Sequence, residues 1–295
     1  MSGDSRRGYA AAVGAFVAWG FFPLYLIGLV HVSALQITAH RIAWSLLFVL
    51  GWLAVTRELP KLRAAMARRD VLLRLIGSAF FICVNWIGFA WAVNHDRVLD
   101  VSLAYYIGPL LNVLLGVFVL AERLDRVQWT AVACAAAGVT YLGIVAGHAP
   151  WLALMVGASF AIYGLIRKTA AVEALPGLAV ECVVLAPFAV VYLVWCEIAG
   201  VGSMGHTGMV ADLLLLLSGV VTAVPLVLFA YGARRIPLST MGVIQFIGPS
   251  LQLVCGLLVF DEPFPQARAL GFVFIWIGLL LYAVNGWRKS AARAA

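Results

Sequence analysis

Charge is what this sequence has least of. Only 11% of its 295 residues are Asp, Glu, Lys or Arg, against about 25% in an ordinary soluble domain, while 64% are hydrophobic. A water-soluble core cannot hide that much apolar surface, so the long apolar runs must face lipid or each other. Cysteine chemistry is missing as well. Cys83, Cys134, Cys182, Cys196 and Cys255 are odd in number, show no CxxC spacing and all lie inside apolar runs, which excludes a disulfide framework or a thiolate metal site and leaves small packing residues. There is no HExxH and no pair of intramembrane aspartates, so an intramembrane enzyme lacks its catalytic cluster, and neither enzymatic activity nor a cofactor or metal is expected. A net charge of +7 invites a nucleic-acid reading, but the Lys and Arg residues sit in short segments between apolar runs rather than along one amphipathic face. No nucleic-acid partner is expected.

What is present is a series of runs long enough to cross a bilayer. With about 20 apolar residues needed per crossing, ten spans fall near 8–29, 34–55, 72–94, 101–120, 128–146, 150–168, 178–198, 211–231, 240–260 and 267–286. Short breaks at Asn94-His95-Asp96-Arg97 and Gly147-His148-Ala149-Pro150 separate neighbours that would otherwise fuse. Arg6 and Arg7 precede an apolar stretch too long for a signal peptide, so the first span is read as retained. Alternate connections differ sharply in positive charge. Arg6, Arg7, the basic segment 57–69, Arg123, Arg126, Arg167, Lys168, Arg234, Arg235, Arg288 and Lys289 fall on one side, whereas the other holds Arg97 and Arg268. Positive residues stay cytoplasmic, which predicts a multi-pass protein of the cytoplasmic membrane with both termini inside and lipid as its surroundings.

The chain also repeats itself. At an offset of 140, Tyr106-Ile107-Gly108-Pro109 aligns with Phe246-Ile247-Gly248-Pro249, and the match runs on through Asn112/Gln252, Gly116/Gly256 and Glu122/Glu262. Near the start of each half Ala18-Trp19-Gly20 resembles Ile162-Tyr163-Gly164. The predicted fold is therefore an all-α membrane protein of two five-helix halves, 1–146 and 147–295. An odd helix number inserts the second half upside down, a recurring plan of secondary transporters, because two related halves that trade conformations alternate access to a central site.

Paired helix breakers at matching places point to such a site. Gly108 and Pro109, and Gly248 and Pro249, lie about 12–14 Å into their spans, close to the midplane. Each proline leaves the carbonyl four residues earlier, at Tyr105 and Gln245, without its helical donor. Asn85, Trp86, Trp91, Tyr105, Tyr106, Asn112, Gln245 and Gln252 gather at similar depth, and Trp19, Tyr25 and Tyr163 can complete an aromatic wall around a small-molecule substrate. Belt positions, core packing and interhelical amide bonds are the competing readings of the same residues. The ionisable residues His40, Arg41 and Glu181 fall inside spans, where charge marks function or pairing. Arg41, about 10 Å below the outer surface, is a candidate anchor for a substrate carboxylate, a partner for Asp96 or Asp100, or a snorkelling side chain. Glu181, about 5 Å from the inner surface, is a candidate carrier of a coupling proton or a solvated carboxylate, and direct pairing with Arg41 is not expected.

Taken together, Ala39-His40-Arg41-Ile42-Ala43-Trp44-Ser45, Asn85-Trp86, Trp91-Ala92-Val93-Asn94, the stretch from Ser102 to Asn112, Ala121-Glu122-Arg123, Tyr163-Gly164-Leu165-Ile166-Arg167-Lys168, Val180-Glu181 and Gln245-Phe246-Ile247-Gly248-Pro249 resemble the EamA transporters of the drug/metabolite transporter superfamily. Within them the chain is similar to the RarD subfamily over nearly its whole length. The resemblance implies two inverted five-helix repeats, termini inside, and export or exchange of small metabolites or drugs through a central cavity. It leaves the substrate open, and a channel or a membrane receptor is the alternative class. The second half has Asp261-Glu262-Pro263 where the first has Ala121-Glu122-Arg123, so the two glutamates can serve different roles.

Overall fold

The computed structural model describes residues 3–95, 103–146, 151–259 and 266–292. The first expected break lies partly and the second wholly outside those residues, and so do Asp96, Arg97, Asp100, Asp261-Glu262-Pro263 and the side chain of Arg268. Among the described residues the regular structure is helical: α1 (Gly3–Gly20), α2 (Phe22–Leu26) continued by a short 3₁₀ turn (Ile27–Leu29), α3 (Ala34–Val55), α4 (Leu59–Ala67), α5 (Arg69–Asn94), α6 (Ala104–Phe118), α7 (Arg126–Ala146), α8 (Trp151–Thr169), α9 (Ala174–Ile198), α10 (Met209–Ala233), α11 (Leu238–Gln245), α12 (Ile247–Val259) and α13 (Gln266–Ala292). Nine of the resulting segments are long and apolar enough to cross a membrane, and the shorter apolar α6 supplies the tenth crossing. Large apolar side chains such as Phe188, Ile198 and Leu258 stand more than two-thirds exposed on the outer surface, a surface suited to lipid.

Local chemistry accounts for the irregularities. Pro249 has no N–H to give the Gln245 carbonyl, and the helix breaks there into α11 and α12. Pro109 lies inside α6, which stays continuous. Pro23, in the first turn of α2, coincides with a break at Phe21 that the unbroken apolar run did not reveal. The basic segment 57–69 contains a short helix, α4, which buries Leu62 and Ala65 while its charges face out.

Contacts between connections define two ends. Lys168 Nζ donates to the Ala233 and Ile236 carbonyls at 3.0 and 2.6 Å, and Arg235 Nε reaches Asp4 at 2.8 Å. Lys61 binds Glu173 at 2.9 Å, and hydrogen bonds to both Glu58 and Glu173 raise its pKa. Glu122 accepts the backbone N–H groups of Leu238 and Ser239 at 2.6 and 2.8 Å, capping α11 where the helix dipole favours an anion. These bonds bring the basic connections to one end. At the opposite end Gln36 exchanges bonds with Val201 and Ser203, and Tyr25 donates to the Leu214 carbonyl at 2.7 Å.

Helix packing obeys an exchange rule. The contacts of α6 with α8, α5 with α8, and α5 with α9 correspond, when the first five crossings are traded for the second five, to those of α12 with α1, α10 with α1, and α10 with α3. The pairs α3 with α9, α6 with α11, and α7 with α13 map onto themselves. Close crossings depend on small residues. A Cβ on Gly219 would lie 2.4 Å from the Trp44 backbone, and one on Gly157 would lie 3.2 Å from the Gly108 nitrogen.

Candidate functional site

A cavity of about 130 Å³ lies among α1, α2, α3, α5, α6, α8, α10, α11 and α12. Its lining residues on α3 (Thr38, Arg41), α6 (Tyr105, Gly108) and α8 (Val156, Gly157) all fall within the first turns of helices that begin at the end opposite the basic one. Toward the basic end it is floored by aromatic rings. Phe229 packs on Phe16, Trp19, Phe160 and Tyr163 with centroid distances of 6.0, 5.9, 5.1 and 5.8 Å. The space is therefore bounded on one side by an aromatic cluster.

Of the sequence candidates, Trp19, Arg41, Asn85, Trp86, Tyr105, Gly108, Gln245, Gly248, Pro249 and Gln252 line this cavity. Several are held by one polar bond that aims the rest of the side chain. Asn85 Nδ2 donates to the Val156 carbonyl at 2.8 Å, and Gln252 Nε2 donates to the Trp19 carbonyl at 3.1 Å. Asn112 is fully buried behind the wall and gives its Nδ2 to Gln245 Oε1 at 2.7 Å, which leaves Gln245 Nε2 beside Gly108. The repeat mates Asn112 and Gln252 thus sit against equivalent helices: Asn112 Oδ1 lies 3.4 Å from the Cβ position of Gly164 on α8, and Gln252 meets Trp19 on α1.

Arg41 is the charged member of the lining. Its Nε donates to Thr222 Oγ1 at 2.8 Å, and its guanidinium carbon stands 5.0 Å from the ring centroids of both Phe22 and Trp86. Other candidates lie elsewhere. Tyr25 stacks on Phe22 and reaches the Leu214 carbonyl; Trp91 stacks on His95 near the surface; Tyr106 packs edge-on against Phe272 of α13. Tyr163 belongs to the aromatic floor, Pro109 is buried in α6 beside Gly242, and His40 is buried with no hydrogen-bond partner for its Nδ1 among the described residues.

Glu181 occupies a second place, deeper toward the basic end. Ser78 Oγ donates to its Oε1 at 2.5 Å, and Arg167 Nη1 stands 3.4 Å from the same oxygen, while Arg167 Nη2 donates to the Ala174 carbonyl at 2.7 Å. Both charged side chains are almost fully buried. A crevice of about 10 Å³, lined by Ser45, Thr222 and Glu181, shares Ile82, Trp86 and Leu226 with the main cavity. Sequence reading counted Arg167 among the cations that set topology and passed over Phe22, Phe160, Phe229 and Thr222. Only the repeat, which pairs α1 with α8, carried a signal for Phe160.

Ten apolar crossings around a partly polar internal cavity define a polytopic membrane protein. Residues 6–144 match the EamA-like transporter family. The chain is 39% identical to an uncharacterized transporter of Vibrio cholerae over 99% of this chain and 97% of that one. It is 37% identical to the protein RarD of Escherichia coli over 96% and 95%, and 30% identical to the chloramphenicol-sensitive protein RarD of Pseudomonas aeruginosa over 98% of each. A solved crystal structure superposes with a TM-score of 0.73 over 96% of this chain and 98% of that one, at 20% identity, a likeness of fold alone. The chain belongs to the EamA transporter family and groups with its RarD members.

Proposed function

We propose that this protein is a secondary carrier that moves small metabolites or drugs across the cytoplasmic membrane by alternating access to the central cavity, as an exporter or exchanger. The observation that carries this reading is the position of the cavity between two sets of helices whose contacts survive exchange of the halves, with Gly108 on one wall and its repeat mate Gly248 on another. Halves 1–146 and 147–295, inserted in opposite senses, need only trade conformations to reopen the site on the other side. The basic end is taken as cytoplasmic by the distribution of Lys and Arg. The aromatic floor then closes the cytoplasmic side, and the arrangement described above is a state turned away from it.

Glu181 is the proposed site of a coupling proton, supported by the crevice beside its carboxylate, which shares Ile82, Trp86 and Leu226 with the cavity wall. A crevice of this size is about one water wide. The experiment is a counterflow screen of metabolites and drugs on purified protein in proteoliposomes, run with and without a proton gradient. Saturable counterflow is expected, accelerated by the gradient in wild type and indifferent to it in Glu181→Gln. Unitary conductance, or no transport across the screen, would overturn the carrier reading. Gradient dependence that persists in Glu181→Gln would remove only the proton assignment.

A further inference from the structure

Among the described residues Arg41 stands in the cavity wall without a counter-ion. Among the described residues no ion pair involves it, and its one hydrogen bond uses Nε. The rings of Phe22 and Trp86 hold the guanidinium from its sides, so two neighbours that cannot neutralise it fix its position. The fork of Nη1 and Nη2 makes no hydrogen bond to any described residue, and that fork is the part of arginine whose spacing matches the two oxygens of a carboxylate or phosphate. A cation at this depth is costly unless something pairs with it. The neutral groups nearby suit the same guest. Gln245 directs its Nε2 donor at the wall beside Gly108, and the cavity surface is otherwise mostly apolar, with Phe16, Trp19, Phe89 and Phe160 supplying rings.

Resting on the carrier reading, we propose that the cavity selects a small organic anion, its carboxylate or phosphate seated on the Arg41 fork and an apolar or aromatic body lying along the ring-lined wall. The charge of the solute, rather than its shape alone, then sets which compounds are taken. A lipid phosphate presents the same acidic group, and the test separates the two sources.

The test compares each acid with an uncharged relative that lacks the acidic group, benzoate with benzamide and phenyl phosphate with phenol, by equilibrium dialysis against purified protein in a phosphate-free zwitterionic detergent. Each anion should bind wild type about tenfold or more tightly than its neutral partner, the range of a charge-assisted hydrogen-bonded contact. Arg41→Gln should erase the difference, and Arg41→Lys, which keeps the charge and loses the fork, should keep part of it. The wild-type comparison stands even if Arg41→Gln fails to fold. Equal binding within both pairs, or an undiminished preference in folded Arg41→Gln, would overturn the proposal. So would benzoate binding that is present in the phosphate-free detergent and vanishes in both phosphatidylcholine and phosphatidylglycerol nanodiscs, because Arg41 would then serve a lipid phosphate. Saturable counterflow of neutral solutes at undiminished rate in Arg41→Gln would leave a carrier without anion selection, whereas absence of any counterflow strikes the carrier reading itself.

Discussion

At the scale of single residues, the pair formed by Arg167 and Glu181 dominates the interior. Their side chains are 1% and 3% exposed and 3.4 Å apart, so each compensates the other for leaving water. Replacing one partner strands a buried charge. Arg167→Leu and Glu181→Leu should each lower stability by about 3–5 kcal/mol, while the double replacement recovers most of the loss. Thermal unfolding of the three variants in detergent reads this directly, and a double variant no better than the worse single one would show that the pair is not the compensating contact. The pair was hidden in the sequence for a physical reason. Arg167 adjoins Lys168 at a helix end, and in helices that are apolar on every face nothing marks which side turns inward. The same ambiguity left Trp91 and Tyr106 indistinguishable from Trp86 and Tyr105, although only the latter two reach the cavity.

Among the elements, the proline-bearing crossings differ. Pro249 follows a break between α11 and α12, whereas Pro109 sits in a continuous α6. If the break is a hinge, Pro249→Ala should let α11 and α12 join, raise the unfolding temperature through a propensity gain of up to about 3 kcal/mol, and slow counterflow. Pro109→Ala should change exchange less. Exchange at the wild-type rate in a stabilised Pro249→Ala protein would discard the hinge. At the crossing of α3 and α10, a methyl group on Gly219 would meet the Trp44 backbone at 2.4 Å, so Gly219→Ala should destabilise by about 1–3 kcal/mol, measurable by the same unfolding assay. Element existence was legible because hydrocarbon thickness fixes the length of an apolar run, and the Pro249 break followed from its missing N–H. The break at Phe21 was not legible, since Pro23 interrupts no polar boundary, nor was α4, whose charges mask two buried side chains.

For the whole molecule, the repeat at an offset of 140 residues gave the sequence its sharpest statement about architecture, and the exchange rule of helix contacts is its three-dimensional counterpart. Which end of the cavity the rings floor could not be read from residues, because it depends on how Phe16, Trp19, Phe160, Tyr163 and Phe229 pack together, and rings beside an internal cavity look the same in sequence as rings that face lipid. Alternating access requires that this floor and the helix ends beneath it separate in every cycle. A Cβ on Gly232 of α10 would lie 3.2 Å from the Ala12 Cβ of α1, one turn below the floor and near the usual disulfide spacing of about 3.5–4.5 Å. The decisive measurement is counterflow by Ala12→Cys/Gly232→Cys in a background whose five native cysteines are replaced by alanine. Exchange should proceed when the pair is reduced, stop when it is oxidised and return with reductant; undiminished counterflow in the fully cross-linked protein would contradict alternating access through this cavity.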